Sequence, residues 1–110
     1  MITQPHRVVQ QAADSSSTGD KIAYTVPAGM HAEVTGFGCI ENAGIATVDI
    51  QWTPSGGTAI TLDSNTVSDV AFLSGERISL SAGDKIAWNC TTAEASGDWD
   101  LWISLLLYAP

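Results

Sequence analysis

The chain has 110 residues, 45% of them hydrophobic, and a net charge of −8 at neutral pH, which suffices for one domain with one core and excludes global disorder. Its four basic residues, Arg7, Lys21, Arg77 and Lys85, are scattered. Phosphate backbones and anionic lipid both demand concentrated cations, so nucleic acid and membrane surfaces are excluded as partners. Charged residues make up only 15% against the roughly 25% usual for soluble domains, leaving a surface of Ser, Thr, Asn, Gln and Gly that costs little to desolvate against another protein.

From the N-terminus, Met1 to Arg7 lacks the apolar run of a secretory signal. The longest apolar run, Leu105-Leu106-Leu107, is far too short to span a bilayer; the expectation is a soluble chain made in the cytoplasm. A weak strand is predicted near Arg7 to Ala12. The Ser-rich stretch from Ala13 to Asp20 follows, readable as a surface loop or as part of an arm that orders on a partner. On this basis residues 1–20 are assigned to an N-terminal arm and loop, and 21–110 to a β-sandwich domain.

Short β-branched and aromatic runs then alternate with Gly, Pro, Asn, Asp and Ser clusters, which is the signature of an all-β fold. Strands are predicted over Lys21–Val26, His31–Glu41, Ala46–Trp52, Thr58–Leu62, Ser68–Leu73, Arg77–Leu80, Asp84–Thr91 and Trp99–Tyr108, about nine in all with the first. Val26-Pro27-Ala28-Gly29, Asn42-Ala43-Gly44, Pro54-Ser55-Gly56-Gly57 and Ser81-Ala82-Gly83-Asp84 supply the turns. Alternation at Ile22, Tyr24 and Val26, at Val48, Ile50 and Trp52, and at Ile86 and Trp88 sends one face of each strand inward. The architecture expected is an antiparallel two-sheet sandwich, jelly-roll-like.

The last strand breaks the simple pattern. Leu101, Ile103, Leu105 and Leu107 share one face with Trp99, while Trp102, Leu106 and Tyr108 occupy the other with Asp100 and Ser104. A strand apolar on both faces is covered on its second side either by the chain's own loops or by another subunit. Trp99, Trp102, Leu106 and Tyr108 are therefore the candidates for an oligomer interface.

Catalytic and metal-binding patterns are missing. His6 and His31 are isolated and far from any cysteine or acidic cluster, and a zinc site needs three or four converging ligands. His6 reads as a solvated arm residue and His31 as a strand-start residue facing water. Asp63-Ser64-Asn65 and the pair Asp98 and Asp100 lack the glycine and terminal glutamate of a calcium loop. No Gly-x-Ser-x-Gly elbow is present. Thr35-Gly36-Phe37-Gly38-Cys39 lacks the helix a phosphate loop requires, so its glycines mark a bulge or close packing. No enzyme activity, cofactor or metal is expected.

Cys39, Trp52, Asp84, Trp88 and Cys90 mimic the cysteine and tryptophan pattern of an immunoglobulin domain, but the cysteines are too close in sequence. A cytoplasmic product keeps its thiols reduced, so two buried thiols are expected, with a bridged pair as the alternative.

Tyr24-Thr25-Val26-Pro27-Ala28-Gly29 leads into a long strand ending at Ile40-Glu41-Asn42. An Ala46-Thr47-Val48-Asp49-Ile50 strand, a Gly-rich hairpin and Leu80-Ser81-Ala82-Gly83-Asp84-Lys85-Ile86 follow. This succession resembles the small β-sandwich structural proteins of tailed bacteriophages, most of all capsid decoration (cement or stapling) proteins. The resemblance implies a non-enzymatic virion protein on the capsid exterior, a homo-dimer or homo-trimer that binds the major capsid protein and stabilises the shell. Under it, the arm residues Ile2, Pro5, Arg7, Val8 and Val9 become the candidates for capsid contact. The alternative is a receptor- or glycan-binding module of a tail fibre or tail spike, with Trp99 beside Asp98 and Asp100 as its binding aromatic.

Overall fold

The computed structural model describes residues 6–13, 18–43, 47–65, 78–92 and 98–109, with residues 6–13, 40–43, 63, 65, 98 and 99 described by backbone alone. Eight strands run through these residues: β1 His6–Ala13, β2 Gly19–Thr25, β3 His31–Ala43, β4 Thr47–Thr53, β5 Ile60–Asn65, β6 Ile78–Ser81, β7 Lys85–Thr92 and β8 Asp98–Tyr108. They form two four-stranded sheets, ordered β1-β8-β3-β6 and β2-β7-β4-β5, with every pairing antiparallel. The first strand pairs with the last, the second with the seventh, the third with the sixth and the fourth with the fifth. One long hairpin is thus rolled over on itself, which is the jelly roll.

Alternation explains which residues fill the gap between the sheets. On β8, Leu101, Ile103, Leu105 and Leu107 point inward and are at most 6% exposed. Opposite them on β3 stand Cys39, Phe37, Val34 and Ala32, all buried. The spacing on β3 changes because its register shifts between Val34 and Gly36. Thr35 is the extra residue of this bulge, and its hydroxyl lies 3.1 Å from the Ser104 carbonyl oxygen and 3.0 Å from the Ser104 hydroxyl. The bulge moves the inward phase from even to odd positions, so Phe37 and Cys39 reach the core instead of solvent.

The second sheet contributes Val48 and Ile50 from β4 and Ile86, Trp88 and Cys90 from β7, none of them measurably exposed. Trp88 is the largest of these. Its ring meets Phe37 edge-on at 5.9 Å, and its indole Nε1–H donates to the carbonyl oxygen of Trp102 on the facing sheet at 3.0 Å. A buried indole without an acceptor is costly, so this bond both satisfies Trp88 and fixes the sheets against each other.

One end of the sandwich is tied by Asp84. Its carboxylate accepts from the Ser55 amide at 2.8 Å, the Ser81 amide at 3.1 Å and, more weakly, the Trp52 indole at 3.4 Å. Its backbone accepts from the Val26 amide at 2.9 Å. The turns after β4 and β6 are thereby joined to the end of β2. Gly83 stands at φ +86°, where a Cβ would lie 2.6 Å from the Ser55 hydroxyl, so only glycine fits this turn.

One expectation, the N-terminal arm, reads differently in the structure. The predicted arm is, over His6–Ala13, a strand paired along its whole length with β8, because an edge strand satisfies in the ladder the backbone groups that an arm leaves to water. The body therefore takes in β1, and β2 begins at Gly19, ahead of the expected boundary at residue 21. The other eight expected strands are present among the described residues; the predicted strand Ser68–Leu73 lies outside them.

The amide donors of Ser55 and Ser81 outweigh the effect of burial and hold the Asp84 carboxyl below its ordinary value of 3.8. The stabilisation from this group is complete above the unfolded-state value and is lost as pH falls through the lowered folded value. Asp84→Asn, which places an amide donor against two amide donors, should cost about 2 kcal/mol near neutral pH. It should also flatten the acid limb of stability below about pH 4. Urea unfolding of both proteins across this range measures the two effects.

Candidate functional site

The outer face of the first sheet carries the half-exposed side of β8. Among the described residues, Trp102, Leu106 and Tyr108 lie there, each partly buried, with Asp100 exposed and Ser104 buried between Trp102 and Leu106. Across the ladder, β3 sets Gly38 opposite Trp102, Gly36 opposite Ser104, Glu33 opposite Leu106 and His31 opposite Tyr108. On the other flank β1 sets Gln11 opposite Trp102, Val9 opposite Ser104 and Arg7 opposite Leu106.

Trp102 has a seat cut for it. A Cβ on Gly38 would fall 2.5 Å from Nε1 and 2.6 Å from Cε2 of the indole, and one on Gly36 would fall 3.3 Å from Cζ3. The ring therefore lies flat along the β3 backbone, covering both glycines. Glycine in a central strand costs entropy and packing, and here that cost lets the indole sink onto the sheet. Further along the same face, His31 stacks on Tyr108 with ring centroids 5.9 Å apart and planes 26° apart. The result is a flat strip with an aromatic group near each end and Leu106 between.

Three of the four expected interface residues are thus brought to one face. Trp99 pairs through its backbone with Glu41, and its side chain lies outside the described residues. Of the expected capsid-contact residues, Arg7, Val8 and Val9 belong to β1 and are held in the sheet, while Ile2 and Pro5 lie outside the described residues. His6, expected on a solvated arm, is a strand residue opposite Leu107. His31, expected to face water, is half-buried against Tyr108.

A second surface was missed by sequence reasoning. Ile60 and Leu62, 46% and 37% exposed, are the exposed large hydrophobic residues among those described. Both lie on β5, an edge of the second sheet. The signal was present in Ile60-Thr61-Leu62, a segment without the Lys or Pro that commonly guards an edge, but strand order alone reveals that β5 is an edge.

Elsewhere the polar groups serve the frame. Asp20 accepts from the Asn89 amide at 2.8 Å and pairs with the Lys85 ammonium at 3.0 Å. Burial pushes its carboxyl up, but Asn89 and Lys85 together hold it below the ordinary value. This pair is near the surface and adds at most about 1 kcal/mol. Asp49 is buried on β4, and its Oδ1 has no hydrogen-bond partner. Among the described residues, no three His, Cys, Asp or Glu side chains converge as metal ligands.

No protein-family model matches the chain, and no curated protein matches it. Among solved structures, the chain is similar to one described as "Bacillus endospore appendages form a novel family of disulfide-linked pili". The TM-score is 0.55 at 13% identity, covering 99% of this chain and 90% of the other. That likeness is one of fold. A capsid-like particle of the extra small virus of the prawn Macrobrachium rosenbergii aligns over 96% of this chain and 81% of its own, at 8% identity and a TM-score of 0.32, too loose to define a shared fold.

The glycine seat has a direct test. Gly38→Ala inserts a methyl group where the indole lies, so Trp102 must lift from the sheet. The substitution should cost about 1–3 kcal/mol and raise the quenching of tryptophan fluorescence by acrylamide. Unchanged quenching and stability would show that the ring is not seated as described.

Proposed function

We propose that the protein is a non-enzymatic structural subunit that works by assembling on protein surfaces through the outer face of its first sheet. The observation that carries this reading is the two-faced β8. Its inner face is spent on the core, while Trp102, Leu106 and Tyr108 stay half-exposed on its outer face, in the middle of a sheet rather than at its rim. Aromatic residues set among small and polar neighbours are the usual anchors of protein contacts. The low charge density lowers the cost of desolvating such a face. A fold shared with a pilus protein supports a role by assembly over a role by chemistry, and the phage resemblance supplies the finer statement: decoration of a capsid exterior, as a homo-dimer or homo-trimer bound to the major capsid protein.

With β1 held in the body, attachment falls to the sheet face and the exposed edge at Ile60 and Leu62 instead of to a free arm. Many weak, repeated contacts across a symmetric shell would then sum to firm attachment.

One observation favours a second reading. An indole lying flat on glycines, with Asp100 exposed two residues away, has the form of a stacking platform for a sugar ring, as a receptor- or glycan-binding module requires. In that reading Trp102 replaces Trp99 as the binding aromatic.

Sedimentation velocity separates the two. If the face is an assembly surface, Trp102→Ala and Leu106→Asp should each convert an oligomer of the wild-type protein to monomers that remain folded by circular dichroism. Glycan-array binding that Trp102→Ala abolishes, with the state of association unchanged, would reverse the order of the two readings. For the finer statement, stripped particles should rebind the wild-type protein and fail to rebind Leu106→Asp.

A further inference from the structure

The geometry points to Cys39 and Cys90 as a latent cross-link between the two sheets, which closes once the protein leaves a reducing environment. Both are buried thiols with no measurable exposure, and both belong to the single core cluster. They come from opposite sheets, Cys39 from β3 and Cys90 from β7.

Their mutual placement follows from strand direction. His31, the first residue of β3, stands opposite Ser81, the last residue of β6. A tight turn then closes from Ser81 to Asp84, whose amide donates to the Ser81 carbonyl at 3.0 Å, and β7 starts at Lys85. Both β3 and β7 therefore run away from the same end of the sandwich. Partway along, they meet through the edge-on contact of Phe37 with Trp88 at 5.9 Å.

Cys39 lies two residues beyond Phe37, and Cys90 two residues beyond Trp88. With period-two alternation, two residues along each strand is the next inward position, so each thiol follows its ring on the inner face, in the same direction along the sandwich. The two longest inward side chains on these strands are thus followed by two of the shortest. Cys90 donates its S–H to the Thr92 carbonyl at 3.6 Å.

Closure requires an oxidant, and a small-molecule disulfide such as oxidised glutathione supplies it by exchange. The two cysteine sulfurs join, their two protons and two electrons pass to the oxidant, and two molecules of reduced glutathione leave. The closed loop spans nearly half the chain and links the first sheet to the second, which stabilises the folded protein in an oxidising medium. Native burial makes exchange slow until a strand opens. This inference stands independently of the proposed assembly role.

The test is to refold the reduced, denatured chain in a glutathione buffer on the oxidising side and to incubate the native protein in the same buffer without denaturation. Refolding should yield a monomer lighter by two hydrogen atoms, with neither cysteine alkylated after denaturation. Proteolysis should give a linked Cys39–Cys90 peptide, and the melting temperature should rise on the order of 10 °C and fall back on reduction. The native sample should reach the same product more slowly. Cys39→Ser should retain one alkylatable thiol and show no rise. Two thiols still alkylatable in both samples, or disulfides between chains in place of the internal link, would overturn the inference.

Discussion

The whole arrangement hangs on one hydrogen bond between the sheets, from the Trp88 indole to the carbonyl oxygen of Trp102. Trp88 is fully buried and reaches across the gap of about 10 Å between the sheets, so its N–H must be satisfied inside the core. The acceptor it finds is the backbone of the residue whose side chain covers the opposite surface. Trp102 is thus held from both sides, its carbonyl by Trp88 within and its ring by Gly36 and Gly38 without. The bulge at Thr35 belongs to the same device, since it brings Phe37 inward to meet Trp88 while Gly36 and Gly38 stay beneath the indole. Core and surface are coupled through one strand position.

This coupling shapes the functional reading. A rigid aromatic presented on a central strand loses little freedom on binding, which favours its use as a contact anchor. The jelly roll itself leaves four sheet edges, β1, β6, β2 and β5. Of these, β5 alone carries residues counted as exposed large hydrophobics among those described. Flat face and apolar edge lie on different sheets, so under the proposed role the two can meet different neighbours.

Much of the frame was legible in the sequence because alternation and turn chemistry are local. Lys85 to Cys90 alternates cleanly, and Ser81-Ala82-Gly83-Asp84 announces its turn, so both lie close to where they were expected. The role of Asp84 was hidden, because its carboxylate reaches a turn 29 residues away in sequence. The glycines of Thr35-Gly36-Phe37-Gly38-Cys39 were read as a bulge or close packing, and both descriptions hold, but nothing in the spacing names Trp102 as the side chain they receive. The segment near Arg7 to Ala12 was legible as a weak strand yet was assigned to an arm, because its pairing with the last strand is the longest-range contact among the described residues. The two faces of β8 were legible; which element covers each was not, because that depends on strand order.

The most direct test of the central claim is oxidative footprinting of side chains in the assembled and dissociated protein. The account predicts that labelling of Trp102 and Tyr108 falls on assembly. Labelling of these two that stays the same, with protection confined to Ile60 and Leu62 on β5, would contradict it.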